Sequence, residues 1–274
     1  MIDVLLAALA GLLFGSFLNV CIYRLPRDLS VVTPRSFCPE CDHGIAWYDN
    51  IPLLSYVLLR GQCRHCRARI SWRYPLVELL TALCFAAAVW IQPQHQIDAM
   101  AVKYGVFCAI SITLIFADLE ERILPDEFTL GGVAAGIIFA WFVPVTNMSL
   151  VRFFMNMENP RVVSVIESAA AAAISSGALW LVGFLYEKMR HREGLGLGDV
   201  KMVAMIGAFL GLQFVLLTLI VGSLLGAVIG LLYILITRKD ASSYELPFGS
   251  FLGIGAIAVA FWGEVLMTAY NSFG

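Results

Sequence analysis

Apolar positions along this chain come in long unbroken runs rather than in alternation with polar ones. Seven runs are long enough for a transmembrane helix of about 20 residues: Val4–Tyr23, Pro75–Ile91, Ile97–Ala117, Phe128–Val145, Val162–Tyr186, Phe214–Ile236 and Phe248–Tyr270. An eighth, Val200–Leu212, has only 13 residues. Helical, it would rise about 20 Å, short of a hydrocarbon core of roughly 30 Å. It is therefore read as a half-helix, a re-entrant segment, or a span starting deep in a water-filled cleft. The last two would place Asp199 inside the membrane boundary. In the first run Ala8-Leu9-Ala10 resembles a signal cleavage site. No Lys or Arg precedes it and the run continues past it, so it is read as a retained helix. Gly11 and Gly15, four apart, would let another helix approach closely.

One stretch breaks the pattern. Residues 24–73 hold eight Arg and two CxxC pairs, and Pro26, Pro34, Pro39 and Pro52 oppose a long helix there. The expected architecture is an all-α polytopic membrane protein of about eight transmembrane helices, with a small zinc-ribbon-like insert between the first and second. Its divisions are 1–23, a first helix; 24–73, the insert; and 74–274, a membrane-embedded domain.

Composition supports this class. Apolar residues make up 60% of the 274, and Asp, Glu, Lys and Arg only 14%. Soluble domains carry about 25% charge, and disordered chains more. The formal net charge of −2 gives no global field for nucleic acid. Loop charges set the orientation. The loops 24–73, 118–127, 187–199 and 238–247 carry 14 Lys and Arg, and the alternate set only 2. Basic loops mark the cytoplasmic side, so both termini are expected outside.

Cys38-Pro-Glu-Cys41 and Cys63-Arg-His-Cys66 have the spacing of a tetrahedral four-thiolate zinc site. A reducing cytoplasm disfavours disulfides, and a segment this polar needs a staple. One structural zinc is expected. The other readings are two redox motifs or a disulfide pair. His43 and His65 are further donors, but four Cys leave no vacancy. Cys21, Cys84 and Cys108 sit in apolar runs and read as buried thiols.

Acids at membrane depth are costly and point to function. Asp118 ends the third run; Asp199 opens the short one after Gly194-Leu-Gly-Leu-Gly198. Two carboxylates brought together can share a proton, one acting as base on water while the other polarises a carbonyl. Gly194, Gly196 and Gly198 would let an extended substrate lie beside Asp199. The plainer reading makes Asp199 a helix N-cap near Lys201 and Asp118 an interfacial charge. Asp126 reads as an N-cap, and Glu78 needs a partner, Lys201 or Arg73. No Gly-Lys-Ser/Thr follows the glycine loop, so it is not read as a phosphate cradle.

In order along the chain, Gly15-Ser-Phe-Leu-Asn-Val-Cys-Ile-Tyr-Arg-Leu-Pro26, the CxxC pairs, Ser71-Trp-Arg-Tyr-Pro-Leu-Val-Glu78, Asp118 with Leu124-Pro125-Asp126, Gly196-Leu-Gly-Asp-Val-Lys201 and Pro247-Phe-Gly249 resemble the type IV prepilin peptidases. The resemblance implies a Gly-x-Gly-Asp membrane aspartic protease with catalytic Asp118 and Asp199. Its substrates would be type IV prepilins or type II secretion pseudopilins. It would cut their basic leader after a glycine, then N-methylate the new terminus from S-adenosylmethionine. It would sit in the bacterial inner membrane, zinc module and active site on the cytoplasmic side. Glu120 and Glu121, with Gly196 and Gly198, are candidate substrate contacts. No Rossmann loop is present, so the methyl-donor site is unknown, with the zinc module the suspect. No oligomeric state is read from the sequence. Presenilin and signal-peptide-peptidase enzymes share Gly-x-Gly-Asp, but carry Tyr-Asp first and Pro-Ala-Leu late, where this chain has Ala117-Asp118 and Pro247-Phe-Gly249. A cation-coupled transporter would need repeat symmetry between halves, which is not seen. A membrane anchor presenting a zinc ribbon leaves the acids unexplained.

Overall fold

A computed structural model describes residues 1–144, 159–190, 195–237 and 247–272. Gly194 and residues 238–246 lie outside them. The helices are α1 (Ile2–Arg24), α2 (Leu54–Leu58), α3 (Arg73–Trp90), α4 (Ala99–Glu121), α5 (Asp126–Phe142), α6 (Pro160–Arg190), α7 (Leu197–Leu210), α8 (Leu212–Thr237) and α9 (Phe248–Ser272). Apart from α2, each matches one apolar run. Among the described residues six helices are long and apolar enough to cross a membrane, fewer than the eight expected. The two that fall short are α5, with 17 residues, and α7, with 14. Contacts divide the chain into two units, Met1–Thr113 and Leu114–Gly274.

In the first unit α1 and α3 pack antiparallel. A methyl built on Gly11 would lie 2.6 Å from Ala82 Cα, and one on Gly15 2.7 Å from Glu78 Cα. Only glycine allows this approach. Asn19 continues the register, donating to the Tyr74 carbonyl at 3.1 Å. The antiparallel pair brings Arg24 and Arg73, the two ends of the cysteine-bearing insert, to the same end of the helices. Arg24 is buried and donates to the carbonyls of Ser30 and Pro34, both at 2.8 Å. Glu78 takes a backbone partner, the Leu53 N–H at 2.8 Å, together with the Ser16 hydroxyl. That bond seats the turn before α2 against the second turn of α3.

In the second unit α7 is the buried centre. Met202, Val203, Met205, Ile206, Ala208 and Phe209 are at most 1% exposed. A helix apolar on every side belongs inside protein. From Met202 to Leu210 it is therefore shielded largely by neighbouring helices. α5 runs parallel to it: Asp126 meets Lys201 at one end, and a methyl on Gly136 would lie 2.8 Å from Ala208 Cβ further along. α6 packs on α7 through Ser168, whose hydroxyl donates to the Ala208 carbonyl at 2.7 Å. α9 runs antiparallel to the end of α4, Ser250 lying beside both Asp118 and Ile115.

Candidate active site and metal centre

The cysteine insert folds as two matching knuckles. In the first, Cys38 N–H donates to the His43 carbonyl (3.0 Å) and Asp42 N–H to the Cys38 carbonyl (2.8 Å). In the second, Cys63 N–H donates to the Ala68 carbonyl (2.8 Å) and Arg67 N–H to the Cys63 carbonyl (3.0 Å). Each turn closes on an isolated antiparallel bridge, Phe37 with Gly44 and Gln62 with Arg69. Each also places the residue after its second Cys at positive φ, Asp42 at 54° and Arg67 at 59°. The knuckles bring all four Sγ atoms within 4.8 Å of one another. Cys38 and Cys66 sulfurs lie 3.8 Å apart. Zinc–sulfur bonds of about 2.3 Å set tetrahedral sulfur–sulfur edges of about 3.8 Å, so the donor set fits zinc. His43 and His65 lie ring against ring, tilted by 34°, centroids 3.4 Å apart. Arg64 forms a two-pronged ion pair with Asp49, at 2.5 and 2.7 Å, tying the second knuckle to Trp47–Asn50. That guanidinium holds the Asp49 carboxyl below the usual range.

The aspartates are built by three helix ends. Asp118, in the last turn of α4, is 7% exposed. The Ser250 N–H donates to its Oδ2 at 2.7 Å. The Ser250 hydroxyl lies 2.8 Å from the same oxygen and 3.1 Å from the Ile115 carbonyl. Ser250 stands in the first turn of α9, whose free N–H groups and dipole suit an anion. A buried carboxylate facing two donors is not the interfacial charge of the plainer reading.

Asp199 is not an N-cap. Gly196 caps α7, and Asp199 is its third helical residue, reaching back to the Gly196 N–H. Burial, and then the charge on Asp118, push the Asp199 carboxyl up to about 6. The structure thus brings Asp118 and Asp199 into one electrostatic field. Between their supports stands Leu124, on the loop from α4 to α5. A methyl on Gly198 would lie 3.2 Å from Leu124 Cβ, and one on Gly249 would lie 3.1 Å from Leu124 Cδ1 and 3.2 Å from Asp118 Oδ2.

Asp126 is not an N-cap either: Pro125 holds that position, and the Asp126 carboxylate instead pairs with Lys201. Glu120 is exposed and Glu121 half-buried, both one turn or less beyond Asp118. Gly196 is exposed at the mouth of α7 and Gly198 half-buried. Sequence reading missed Ser250 and the Lys201–Asp126 pair. The available signal was a hydroxyl directly after Pro247-Phe-Gly249.

Two carboxyls of unlike environment thus lie at helix ends, in a multi-pass membrane protein. Residues 9–92 match the bacterial peptidase A24 N-terminal domain, and residues 105–231 match the type IV leader peptidase family. The prepilin leader peptidase/N-methyltransferase of Aeromonas hydrophila is 34% identical over 97% of this chain and 92% of that protein. The protein of the same description from Pseudomonas putida is 32% identical over 94% and 90%. The type 4 prepilin-like proteins leader peptide-processing enzyme of Escherichia coli O78:H11 is 35% identical over 93% of each. No solved structure matches. The chain belongs to the type IV leader peptidase family.

Proposed function

We propose that this chain is a membrane aspartic endopeptidase that removes the leader of type IV prepilins or type II secretion pseudopilins and then N-methylates the new amino terminus. Its relatives, described as prepilin leader peptidase/N-methyltransferases, support both activities. The presenilin-like alternative is not favoured, and neither is a transporter. The observation carrying the peptidase reading is the meeting of a donor-held Asp118 with an Asp199 pushed toward its protonated form.

In this reading Asp118 is the base and Asp199 the acid. A water oxygen attacks the scissile carbonyl carbon; its proton passes to Asp118 while the Asp199 proton moves to the carbonyl oxygen. The tetrahedral intermediate then collapses. The C–N bond breaks, Asp118 returns its proton to the leaving nitrogen, and Asp199 recovers one from the intermediate's hydroxyl. The freed amine is the nucleophile of the second activity. S-adenosylmethionine supplies the methyl group in such chemistry, and no residue is assigned to it.

Cys38, Cys41, Cys63 and Cys66 would hold one structural zinc. With four thiolates the shell is closed, so the metal shapes the module rather than taking part in a step. The insert is taken as 24–73 and the peptidase domain as 74–274, after the first helix, 1–23. The enzyme is placed in the bacterial inner membrane, its site and zinc module on the cytoplasmic side. The lipid bilayer is its environment, and no nucleic acid is implied. Gly196 and Gly198 line the substrate's path, and Glu120 and Glu121 draw in the basic leader. The reading is tested by assaying prepilin cleavage with Asp118 and Asp199 replaced singly.

A further inference from the structure

We propose that the Lys201–Asp126 ion pair is a positioning device that fixes the separation of the two aspartates. The inference rests on the dyad reading above. Lys201 Nζ lies 2.7 Å from Asp126 Oδ1 and 3.0 Å from Oδ2. The side chains are 35% and 57% exposed, so the pair adds little to global stability. Its placement is the telling feature. Lys201 lies two residues beyond Asp199, near the positive end of α7, where a lysine is poorly placed without an anion. Asp126 closes the loop that begins just after Asp118, and its carboxylate makes no cap for its own helix. The pair therefore joins the turn bearing Asp199 to the loop leaving Asp118.

Leu124 completes the device. It lies on that same loop and packs against Gly198 on one side and Gly249 on the other. Leu124 sets a minimum spacing between the backbone beside Asp199 and the backbone beside Asp118. The ion pair supplies the opposing pull. The chemistry needs Asp118 on the attacking water and Asp199 on the carbonyl oxygen at once, so their separation bears on the rate.

The test is a charge swap in the purified full-length protein. Cleavage of a prepilin is measured for Lys201→Asp, Asp126→Lys and the double variant, with Asp118→Ala and Asp199→Ala alongside. Each single swap, which loses the pair and adds repulsion, should lower kcat roughly tenfold with KM within about twofold. The double swap should recover at least about threefold over the better single. Lys201→Arg should keep most activity and Lys201→Met should not, a comparison that decides the matter even if a swap fails to fold. Single variants with wild-type kcat, a loss confined to KM, or a double no better than either single would each overturn the proposal. Cleavage by Asp118→Ala or Asp199→Ala would instead overturn the dyad reading beneath it.

Discussion

Ser250 directs both its N–H and its hydroxyl at Oδ2 of Asp118, at 2.7 and 2.8 Å, from a position 132 residues further along the chain. These contacts hold one of the two carboxyl oxygens, Oδ2, in place. A hydrogen bond to a charged group contributes about 1.5–3 kcal/mol. Ser250→Ala keeps the N–H and loses the hydroxyl, so kcat for prepilin cleavage should fall roughly tenfold. Gly249→Ala should be more severe, since its methyl would press on both Asp118 and Leu124. Steady-state kinetics on the two variants check this order.

Asp199 gives a pH signature. Its carboxyl is pushed from 3.8 to about 6, chiefly by burial and then by Asp118. Between these values the folded protein keeps a proton that the unfolded chain has lost. Stability therefore falls as pH rises through that window. Asp199→Asn removes the penalty. It should unfold at a higher temperature than wild type at pH 7, the gap closing below about pH 4. Equal midpoints at pH 7 would contradict the raised value. In the wild type, cleavage should decline as pH climbs past about 6 and Asp199 gives up its proton.

Metal analysis tests the knuckles. The full-length protein should carry about one zinc, and the Cys38→Ser, Cys41→Ser double variant essentially none. Bound metal at unchanged stoichiometry in that variant would exclude the four-sulfur site.

Glu78 ties the insert to the membrane helices. Glu78→Leu leaves the Leu53 N–H without its acceptor, at a cost of about 1–3 kcal/mol. Glu78→Gln keeps an acceptor and should stay close to wild type. Thermal unfolding in detergent reads the difference.

Glu120 and Glu121 lie just beyond Asp118 as the last two residues of α4. Reversing both to Lys should raise KM for a prepilin with a basic leader and leave kcat near wild type. An unchanged KM would remove them from leader binding.

Much of this was legible in the sequence. The apolar runs became helices because twenty consecutive apolar residues have no other home, and the paired CxxC motifs became knuckles because their geometry is local. The number of spans was not legible, because α5 stops at 17 residues and α7, as apolar as a span, has only 14. Its sides are covered by α5, α6 and neighbouring helices. Glu78 was matched by charge to Lys201 or Arg73, whereas the fold offers it the Leu53 N–H. Asp126 reads as a cap from sequence, and Asp199 does on the plainer reading, because each sits beside a helix start. Their true register depends on Pro125 and Gly196 taking the cap positions. Ser250 and the Lys201–Asp126 pair depend on contacts across 132 and 75 residues, which no local pattern encodes.

The most direct measurement is cleavage of a purified prepilin by wild type, Asp118→Ala and Asp199→Ala, with methylation of an already cleaved pilin followed in the same preparations as a check on folding. Wild type should cleave and neither variant should, while both variants still methylate. Full cleavage by either variant would contradict it.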